Sequence, residues 1–335
     1  MKLRVTFFMS ILVLGLATAM AAKPLVVYSA QGYDQAVVDA FQKATGIPTK
    51  LADLSTGPLV AKVEAEKQNP QWDIAWFDGA EAMRSLADQG MLLTGWEPNV
   101  QWNGLGKAVV PADGAYVPVD VTFAGIIVVN TKVIAADQVP TSWADLLNPR
   151  YKGLIGMNNP AISGPTYPLV AGLMKSEGGE TSGKAFFQKL KANGLHTYDT
   201  NGVTLKALYN GAIGIAIVQS SAGIGATIKK EPVKLVYPDP VSLLPGDIGI
   251  SAKADPEVQA EAKRFVEYVL SPAGQKVMLQ GDAGGDSNYY PVIAGMSANA
   301  PVTALQGISY QQVDPTVWGP KEGEVNTWFT NNVVH

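Results

Sequence analysis

Residues 25–47 read LVVYSAQGYDQAVVDAFQKATGI, and this stretch decides the fold class. The apolar run LVVYS predicts a buried strand. Apolar residues at helical spacing from Asp34 to Thr45 predict a helix, which Gly46 ends. Further strands are predicted at 47–51 and 72–77, and further helices at 59–67 and 79–89. Alternating strands and helices predict an α/β fold with a parallel sheet, which binds ligands at the carboxyl ends of its strands.

The middle of the chain contains two extended stretches that do not belong to the first α/β unit. Residues 116–130 include PVDVTFAGIIVVN, which is too long and apolar for a loop, and residues 233–237 form a second extended run. Two α/β units joined by two crossings, near residues 118–128 and 233–252, predict a two-lobed protein with two hinge strands. The approximate predicted ranges are 23–120 with 250–300 for lobe 1, and 121–249 with part of the C-terminal helices at 301–335 for lobe 2.

The composition narrows the possible functions. The chain has 335 residues, 47% of them apolar and 16% charged, and a formal net charge of -4. This length favours about two folded domains, and the charge provides no basic patch for nucleic acid. The chain has no cysteine and only two histidines, His196 and His335. Thiolate metal sites, cysteine nucleophiles and histidine-rich metal clusters are therefore excluded, and the composition favours a binding protein.

The first 22 residues have the pattern of a cleavable signal peptide. Lys2 and Arg4 precede an apolar run at 7–16, and Ala19-Met20-Ala21 offers small residues for cleavage after Ala21 or Ala22. The apolar run is shorter than the roughly 20 residues that span a bilayer, although an uncleaved anchor is the alternative. Because the chain has no cysteine to carry a lipid, we expect the mature protein to be free in the periplasm. We also predict a monomer.

Several motifs carry a resemblance to a known family. They include PQWDIAWFDGAEAMRSLADQGMLL (70–93), WADLLNPRYKGLIGM (143–157), GVTLKALYNGAIGIAIV (202–218) and AKRFVEYVLSPAGQKVM (262–278), in this order. Together they resemble the solute-binding proteins of bacterial ABC importers, in the cluster that contains the ferric-ion-binding proteins. The resemblance implies the two-lobed class II periplasmic-binding-protein fold and delivery of a ligand to a membrane permease. Members of this cluster take ferric ion, phosphorylated sugars, aminoethylphosphonate, thiamine or polyamines.

The sequence argues against ferric iron. Ferric binders of this cluster use two adjacent tyrosines after the strand that corresponds to residues 213–218, where this chain has QSS at 219–221. The pair Tyr289-Tyr290 lies in a different segment, and Gly32 stands where the family has a histidine. One retained carboxylate, Asp78, is a poor site for a hard cation that needs several anionic oxygen ligands. We therefore predict no metal site and no cofactor.

Small polar residues follow several predicted strands and precede predicted helices. A helix N-terminus exposes N–H groups and partial positive charge, so it favours phosphate, phosphonate or carboxylate. The alternative is that each hydroxyl only caps its own helix. The resemblance implies that SGPT (163–166) and QSSAG (219–223) line the cleft. The candidate ligand residues of this type are Ser29, Gln31, Ser55, Thr56, Ser163, Gly164, Thr166, Gln219, Ser220 and Ser221.

Three further candidates could hold the other end of the ligand. A carboxylate from Asp78 or Asp199 pairs with an ammonium group or accepts hydrogen bonds from sugar hydroxyls. Tyr198 could stack on an apolar face of the ligand. Asp199 lies in HTYDTNGV (196–203), which predicts a polar turn before a helix, and a helix cap is the alternative role for this residue.

No catalytic residues are predicted. The chain contains no G-x-S-x-G elbow, no H-E-x-x-H and no phosphate-binding P-loop. We predict the periplasmic substrate-binding component of an ABC importer, which captures a small anionic solute such as a phosphorylated sugar or a 2-aminoethylphosphonate-like compound. The alternatives are a ferric iron, thiamine or polyamine binding protein and, more remotely, a secreted hydrolase with a glycosidase-like carboxylate pair.

Overall fold

The structure is a computed structural model that describes residues 23–335. The predicted signal peptide, residues 1–22, lies outside the described residues. The strands are β1 (Leu25–Ser29), β2 (Thr49–Asp53), β3 (Ile74–Asp78), β4 (Val117–Phe123), β5 (Ile126–Asn130), β6 (Ile155–Asn158), β7 (His196–Tyr198), β8 (Ile215–Val218), β9 (Val233–Val236), β10 (Val241–Ile250), β11 (Tyr290–Pro291) and β12 (Tyr310–Gln311).

The helices cover the faces of these strands. They are α1 (Asp34–Thr45), α2 (Thr56–Ala65), α3 (Ala80–Asp88), α4 (Gly104–Val109), α5 (Thr166–Ser176), α6 (Glu180–Ala192), α7 (Asn201–Tyr209), α8 (Ser220–Ile228), α9 (Pro256–Val269), α10 (Pro272–Gly281), α11 (Pro315–Trp318) and α12 (Glu322–Phe329).

The first sheet has the order β11-β4-β10-β3-β1-β2, with β12 paired to β10. Strands β1, β2 and β3 are parallel, whereas β10 runs antiparallel to β3 and β4. Helix α1 packs on α9 and α10. The ring centroid of Phe265 lies 5.0 Å from that of Phe41 and 5.9 Å from that of Trp76 in β3. This sheet, with α1–α4, α9 and α10, is called the first lobe.

The second sheet has the order β7-β6-β8-β5-β9. Strands β6, β7 and β8 are parallel, and β5 runs antiparallel to β8 and β9. Both β5 and β8 are buried along their whole length, which fits their unbroken apolar sequences. This sheet, with α5–α8, is called the second lobe. The predicted two-lobed α/β architecture is confirmed.

The chain passes between the lobes twice, at residues 124–125 and 237–240. The first crossing falls within the range predicted for it, 118–128, and the extended stretch at 116–130 consists of two strands, β4 and β5, in different sheets. The break falls at Gly125, which lies so close to Leu169 that a Cβ there would come within 2.7 Å of the leucine side chain. Residues 241–249, predicted in lobe 2, pair with β3 and β4 of the first sheet. Only residues 237–240 separate β9 from β10, so no long polar linker marks this boundary between the lobes.

Two short elements differ from the sequence prediction. Residues 196–198, predicted as part of a polar turn, form β7 at the edge of the second sheet, parallel to β6. A strand of three residues has no alternating pattern by which to recognise it. The sequence also predicts a short helix at 142–147 with Thr141 as its N-cap, whereas the structure has a 3-10 helix at Ala144–Leu147. The side-chain acceptor is Asp145, which takes the N–H of Thr141 at 2.8 Å.

The C-terminal segment contacts both lobes. Helix α11 packs on α3 of the first lobe. At the end of α12, the ring centroid of Phe329 lies 5.3 Å from that of Phe187 in α6 of the second lobe. The Tyr167 hydroxyl of α5 donates to the Trp318 carbonyl at 2.5 Å. Between residues 23 and 335, none of the helices is long and apolar enough to cross a membrane.

Candidate ligand-binding site

A cavity of about 330 Å³ lies between the two lobes. The carboxyl ends of β1 and β3 face it from the first lobe, and those of β6 and β8 face it from the second. Parallel strands of both sheets thus end at the same place, which is where α/β sheets bind ligands. The lining residues are Ala30, Ser55, Thr56, Asp78, Ile162, Ser163, Gly164, Pro165, Thr200, Asn201, Gly202, Leu205, Gln219, Ala222, Lys229, Asp282, Gly284, Gly285 and Asp286.

One end of the cavity is formed by the starts of α2 and α5, which come from opposite lobes. Ser55 is the N-cap residue of α2, yet its side chain makes no capping hydrogen bond. Helix α5 also lacks a side-chain cap, and Ser163 lies just before it. The interpretation of Ser55 as only a helix cap is therefore wrong. The N–H groups of Gly57, Thr166 and Tyr167 donate to backbone carbonyls, so this part of the cavity offers an anion the hydroxyl groups and the positive ends of the two helix dipoles.

The lobes touch at this end of the cavity. Gly164 is so close to Thr56 that a Cβ at Gly164 would lie 2.4 Å from the threonine Cγ2. The N–H of Gly57 also donates to the carbonyl of Ile162 at 3.2 Å. This part of the cavity therefore exists only when the two lobes are together.

Asp78 lines the cavity and accepts hydrogen bonds from both lobes. Its Oδ1 accepts from Nε2 of Gln31 at 2.7 Å, and its Oδ2 accepts from Nε2 of Gln219 at 2.8 Å. Gln31 belongs to the first lobe and Gln219 to the second. Burial raises the pKa of Asp78 well above its ordinary value, and the nearby charges of Asp120 and Asp286 raise it further.

The other end of the cavity is acidic. Asp286 accepts from the N–H of Gly32 at 2.9 Å and from the Ser221 hydroxyl at 3.3 Å, and Asp282 accepts from the N–H of Asp286 at 2.8 Å. Burial raises the pKa of Asp286. Beneath Asp78, burial raises the pKa of Asp120 to about 7. Carboxylates that line a cavity can accept hydrogen bonds from ammonium or hydroxyl groups of a ligand.

The structure brings many of the predicted residues together. Those that line the cavity are Ser55, Thr56, Asp78, Ser163, Gly164 and Gln219.

Others lie immediately behind the lining. Ser29 is buried and accepts the N–H of Gln31 at 3.3 Å. Ser221 donates to Asp286, and Thr166 is the buried first residue of α5. Ser220 is turned toward the crossing between the lobes, where its hydroxyl accepts the N–H of Phe123 at 3.0 Å. These residues support the site and do not line it.

Two predicted residues lie elsewhere. The ring of Tyr198 packs over the backbone of Gly156, where a Cβ would lie 2.8 Å from the ring, because Tyr198 belongs to the neighbouring strand β7. Asp199 is exposed and does not line the cavity, and Thr200 instead caps α7 by accepting the N–H of Val203 at 3.3 Å.

Sequence reasoning missed the acidic end of the cavity. Asp282 and Asp286 lie in GDAGGD (281–286), directly after α10, and the density of glycine and aspartate in this loop was the available signal. Asn201 was missed because it lies within the segment interpreted through Asp199. Lys229, an exposed residue at the end of α8, had no signal that separates it from other surface lysines.

The tyrosine pair 289–290 does not reach the cavity. Tyr289 is fully buried with its hydroxyl on Gln275, and the hydroxyl of Tyr290 donates to the Thr303 carbonyl at 2.7 Å. Over residues 23–335, no group of three His, Cys, Asp or Glu side chains is arranged to hold a metal ion.

The buried acids predict how stability depends on pH. Burial raises the pKa of Asp34 to about 6 and those of Asp120 and Glu81 to about 7. The unfolded chain releases these protons near pH 4, whereas the folded chain holds them up to pH 6 to 7. The stabilising contribution of these groups to the free energy of unfolding is therefore fully present below about pH 4 and is lost as the pH rises through 6 to 7. We expect the free energy of unfolding in urea to be lower at pH 8 than at pH 5 by about 2 kcal/mol or more.

The Glu81→Gln variant provides the control, because glutamine does not ionise and Glu81 lies outside the cavity. This substitution should reduce the difference between pH 5 and pH 8. Equal or greater stability at pH 8 in the unmodified protein would contradict the assignment of these acids as protonated in the folded state.

Comparisons with known proteins agree with the architecture. A family profile described as bacterial extracellular solute-binding protein matches residues 36–308. A putative 2-aminoethylphosphonate-binding periplasmic protein of Salmonella typhimurium is 25% identical over 82% of both chains. The major ferric iron-binding protein of Neisseria meningitidis is 25% identical over 91% of this chain and 92% of its own.

A solved structure extends this agreement to the whole fold. The periplasmic binding protein AfuA of Actinobacillus pleuropneumoniae, with exogenous fructose-6-phosphate bound, superposes with a TM-score of 0.82 at 20% identity. The match covers 92% of this chain and 98% of that one. The predicted two-lobed periplasmic-binding-protein fold is confirmed.

Proposed function

The chain belongs to the family of bacterial extracellular solute-binding proteins, and we propose that it is the receptor of an ABC importer for a small aminophosphonate such as 2-aminoethylphosphonate. The ligand binds between the lobes, with its phosphonate at the starts of α2 and α5 and its ammonium group at the acidic end. The receptor then delivers the ligand to a membrane permease.

One observation carries this proposal: the uncapped starts of α2 and α5 face the same cavity from opposite lobes. The hydroxyl groups of Ser55, Thr56 and Ser163 add hydrogen-bond donors without a permanent charge. An anion held by these groups bridges the lobes and favours the closed arrangement. Because the donors are neutral, the ligand can leave when the lobes separate.

The acidic end supports an ammonium group on the same ligand. Asp78, Asp282 and Asp286 line the same cavity as the starts of α2 and α5. These three acids outnumber Lys229, the basic residue that lines the cavity next to Gly284, so a ligand that carries only negative charge would leave carboxylates without a cationic partner. A zwitterion satisfies both ends, and the Salmonella relative described as a 2-aminoethylphosphonate-binding protein is consistent with this chemistry.

Membership of this family supports a role in ligand binding and not in catalysis. It also supports export to the periplasm. Export would use the predicted cleavable signal at residues 1–22, and the mature chain would act as a free monomer. Replacement of the tyrosine dyad by Gln219, Ser220 and Ser221 supports the assignment of an organic anion over ferric ion, because these residues are neutral oxygen and nitrogen donors.

A thermal-shift screen tests the ligand class. The panel is 2-aminoethylphosphonate, fructose-6-phosphate, thiamine, spermidine and ferric citrate. At about a hundred times the Kd, binding adds about 2.7 kcal/mol of stability, so the preferred ligand should raise the Tm by about 5 °C or more. Stabilisation by 2-aminoethylphosphonate above all others is expected. Stabilisation by thiamine, spermidine or ferric citrate alone would refute the proposed anion site, and a preference for fructose-6-phosphate would refute only the ammonium assignment.

A further inference from the structure

A chain of side-chain hydrogen bonds connects Asp78 of the first lobe with Ser163 at the start of α5. Gln219 donates from Nε2 to Asp78 at 2.8 Å and accepts at Oε1 from Nδ2 of Asn201 at 3.3 Å. Asn201 in turn accepts at Oδ1 from Nδ2 of Asn158 at 2.7 Å. Asn158 also donates from Nδ2 to the Ser163 hydroxyl oxygen at 3.2 Å. Three consecutive amides thus join the two lobes to the anion-binding end.

The chain has a direction, which is set at both ends. The Asp78 oxygens accept from Gln31 and Gln219, so Gln219 must present its NH₂ group to Asp78 and its oxygen to Asn201. At the other end, the Thr204 hydroxyl lies 2.6 Å from the Asn158 oxygen and 3.1 Å from the Thr200 carbonyl, and it has one proton for both. The direction there is set by the backbone N–H of Gln219, which donates to the Asn201 oxygen at 3.5 Å and leaves that oxygen facing the Asn158 NH₂ group. Each amide is therefore held in one orientation.

This direction determines what Ser163 offers to a ligand. A hydroxyl group has one proton, and the Ser163 oxygen already accepts from Asn158. Within the described part of the chain, Ser163 donates to no protein group, and it lines the cavity. Its proton is available to an anion in the cavity.

We propose that Gln219, Asn201 and Asn158 are positioning residues through which closure of the lobes onto Asp78 fixes the Ser163 hydroxyl as a donor to the anionic end of the ligand. When the lobes separate, Gln219 loses its acceptors on the first lobe, Asp78 and Thr122, and the chain loses the groups that set its direction at this end. Binding and closure therefore reinforce each other through these amides. The inference rests on the proposed function, since it places the anion at Ser163.

A double-mutant cycle tests this coupling, with calorimetric Kd values for 2-aminoethylphosphonate. Gln219→Met keeps the length of the side chain and removes its hydrogen bonds, and Ser163→Ala removes the donor. Each single variant should weaken binding about tenfold, and the double variant should be weaker than either by no more than about twofold. Asn201→Leu breaks the chain one step later and should behave in the same way.

Gln31→Met is the matched control, because Gln31 also donates to Asp78 but does not connect to Ser163. Its effect should multiply with that of Ser163→Ala. A loss of about a hundredfold in the Gln219→Met/Ser163→Ala double variant, with the two effects independent, would overturn the coupling and leave the proposed function intact. Failure of the unmodified protein to bind 2-aminoethylphosphonate would overturn both.

Discussion

Replacing Gly164 with alanine should weaken ligand binding about 5- to 100-fold, because the added methyl group keeps the lobes apart. The new Cβ would lie 2.4 Å from Cγ2 and 2.5 Å from Cβ of Thr56. The Thr56 Cβ is attached to the backbone of α2 and cannot rotate away, so α2 and the start of α5 must separate. The hydroxyl groups that hold the anion then no longer meet.

The effect should appear in binding and not in folding, because the blocked contact joins two lobes that each have their own sheet. Gly104→Ala is the matched control, since nothing lies within 4 Å of the position that its Cβ would take. Calorimetry gives the Kd, and small-angle scattering of the liganded protein should show a larger radius of gyration for Gly164→Ala. An unchanged Kd would show that the ligand does not require this contact.

Replacing Asp286 with asparagine should weaken binding of 2-aminoethylphosphonate about 10- to 100-fold, because a hydrogen bond to a charged group contributes about 1.5–3 kcal/mol. The substitution preserves shape, and the asparagine oxygen can still accept the N–H of Gly32 that Asp286 accepts at 2.9 Å. What is lost is the negative charge opposite the ammonium group of the ligand.

The comparison ligand is ethylphosphonate, which has the same phosphonate but no amine. Its Kd should change by no more than about threefold in Asp286→Asn, since the removed charge has no partner on this ligand. Asp137→Asn, an exposed position outside the cavity, is the control for a lost surface charge. Equal weakening of both ligands by Asp286→Asn would refute the assignment of the acidic end to the amine.

The sequence predicted the fold well because its strongest signals are local and repeated. The strand and helix at 25–46 and the apolar runs of the first sheet reflect periodicity, which requires no knowledge of the tertiary structure. The crossing near residues 118–128 was predicted, but its exact place at Gly125 was not, because both halves of the stretch are mainly apolar and the close approach of Leu169 comes from a distant helix. The edge strand β7 is too short to show a period.

The candidate site also contains residues that the sequence predicts and residues that it does not. Ser55, Thr56, Asp78 and Ser163 were predicted because strand ends in an α/β sheet converge on one edge. Asp286 was not, because it lies in a loop after α10 that reaches the cavity only through packing against α1 and α8. The directions of the Asn158 and Asn201 amides depend on contacts between segments about 40 residues apart, which no local pattern records.

The most direct measurement of the central claim is a calorimetric titration of the mature protein with 2-aminoethylphosphonate. We predict saturable binding of one ligand per chain with a Kd of about 1 µM or tighter, equivalent to about -8.2 kcal/mol, and at least tenfold weaker binding of ethylphosphonate. No binding of either phosphonate by protein that binds ferric ion, thiamine or spermidine under the same conditions would contradict the account of an anion held between the starts of α2 and α5.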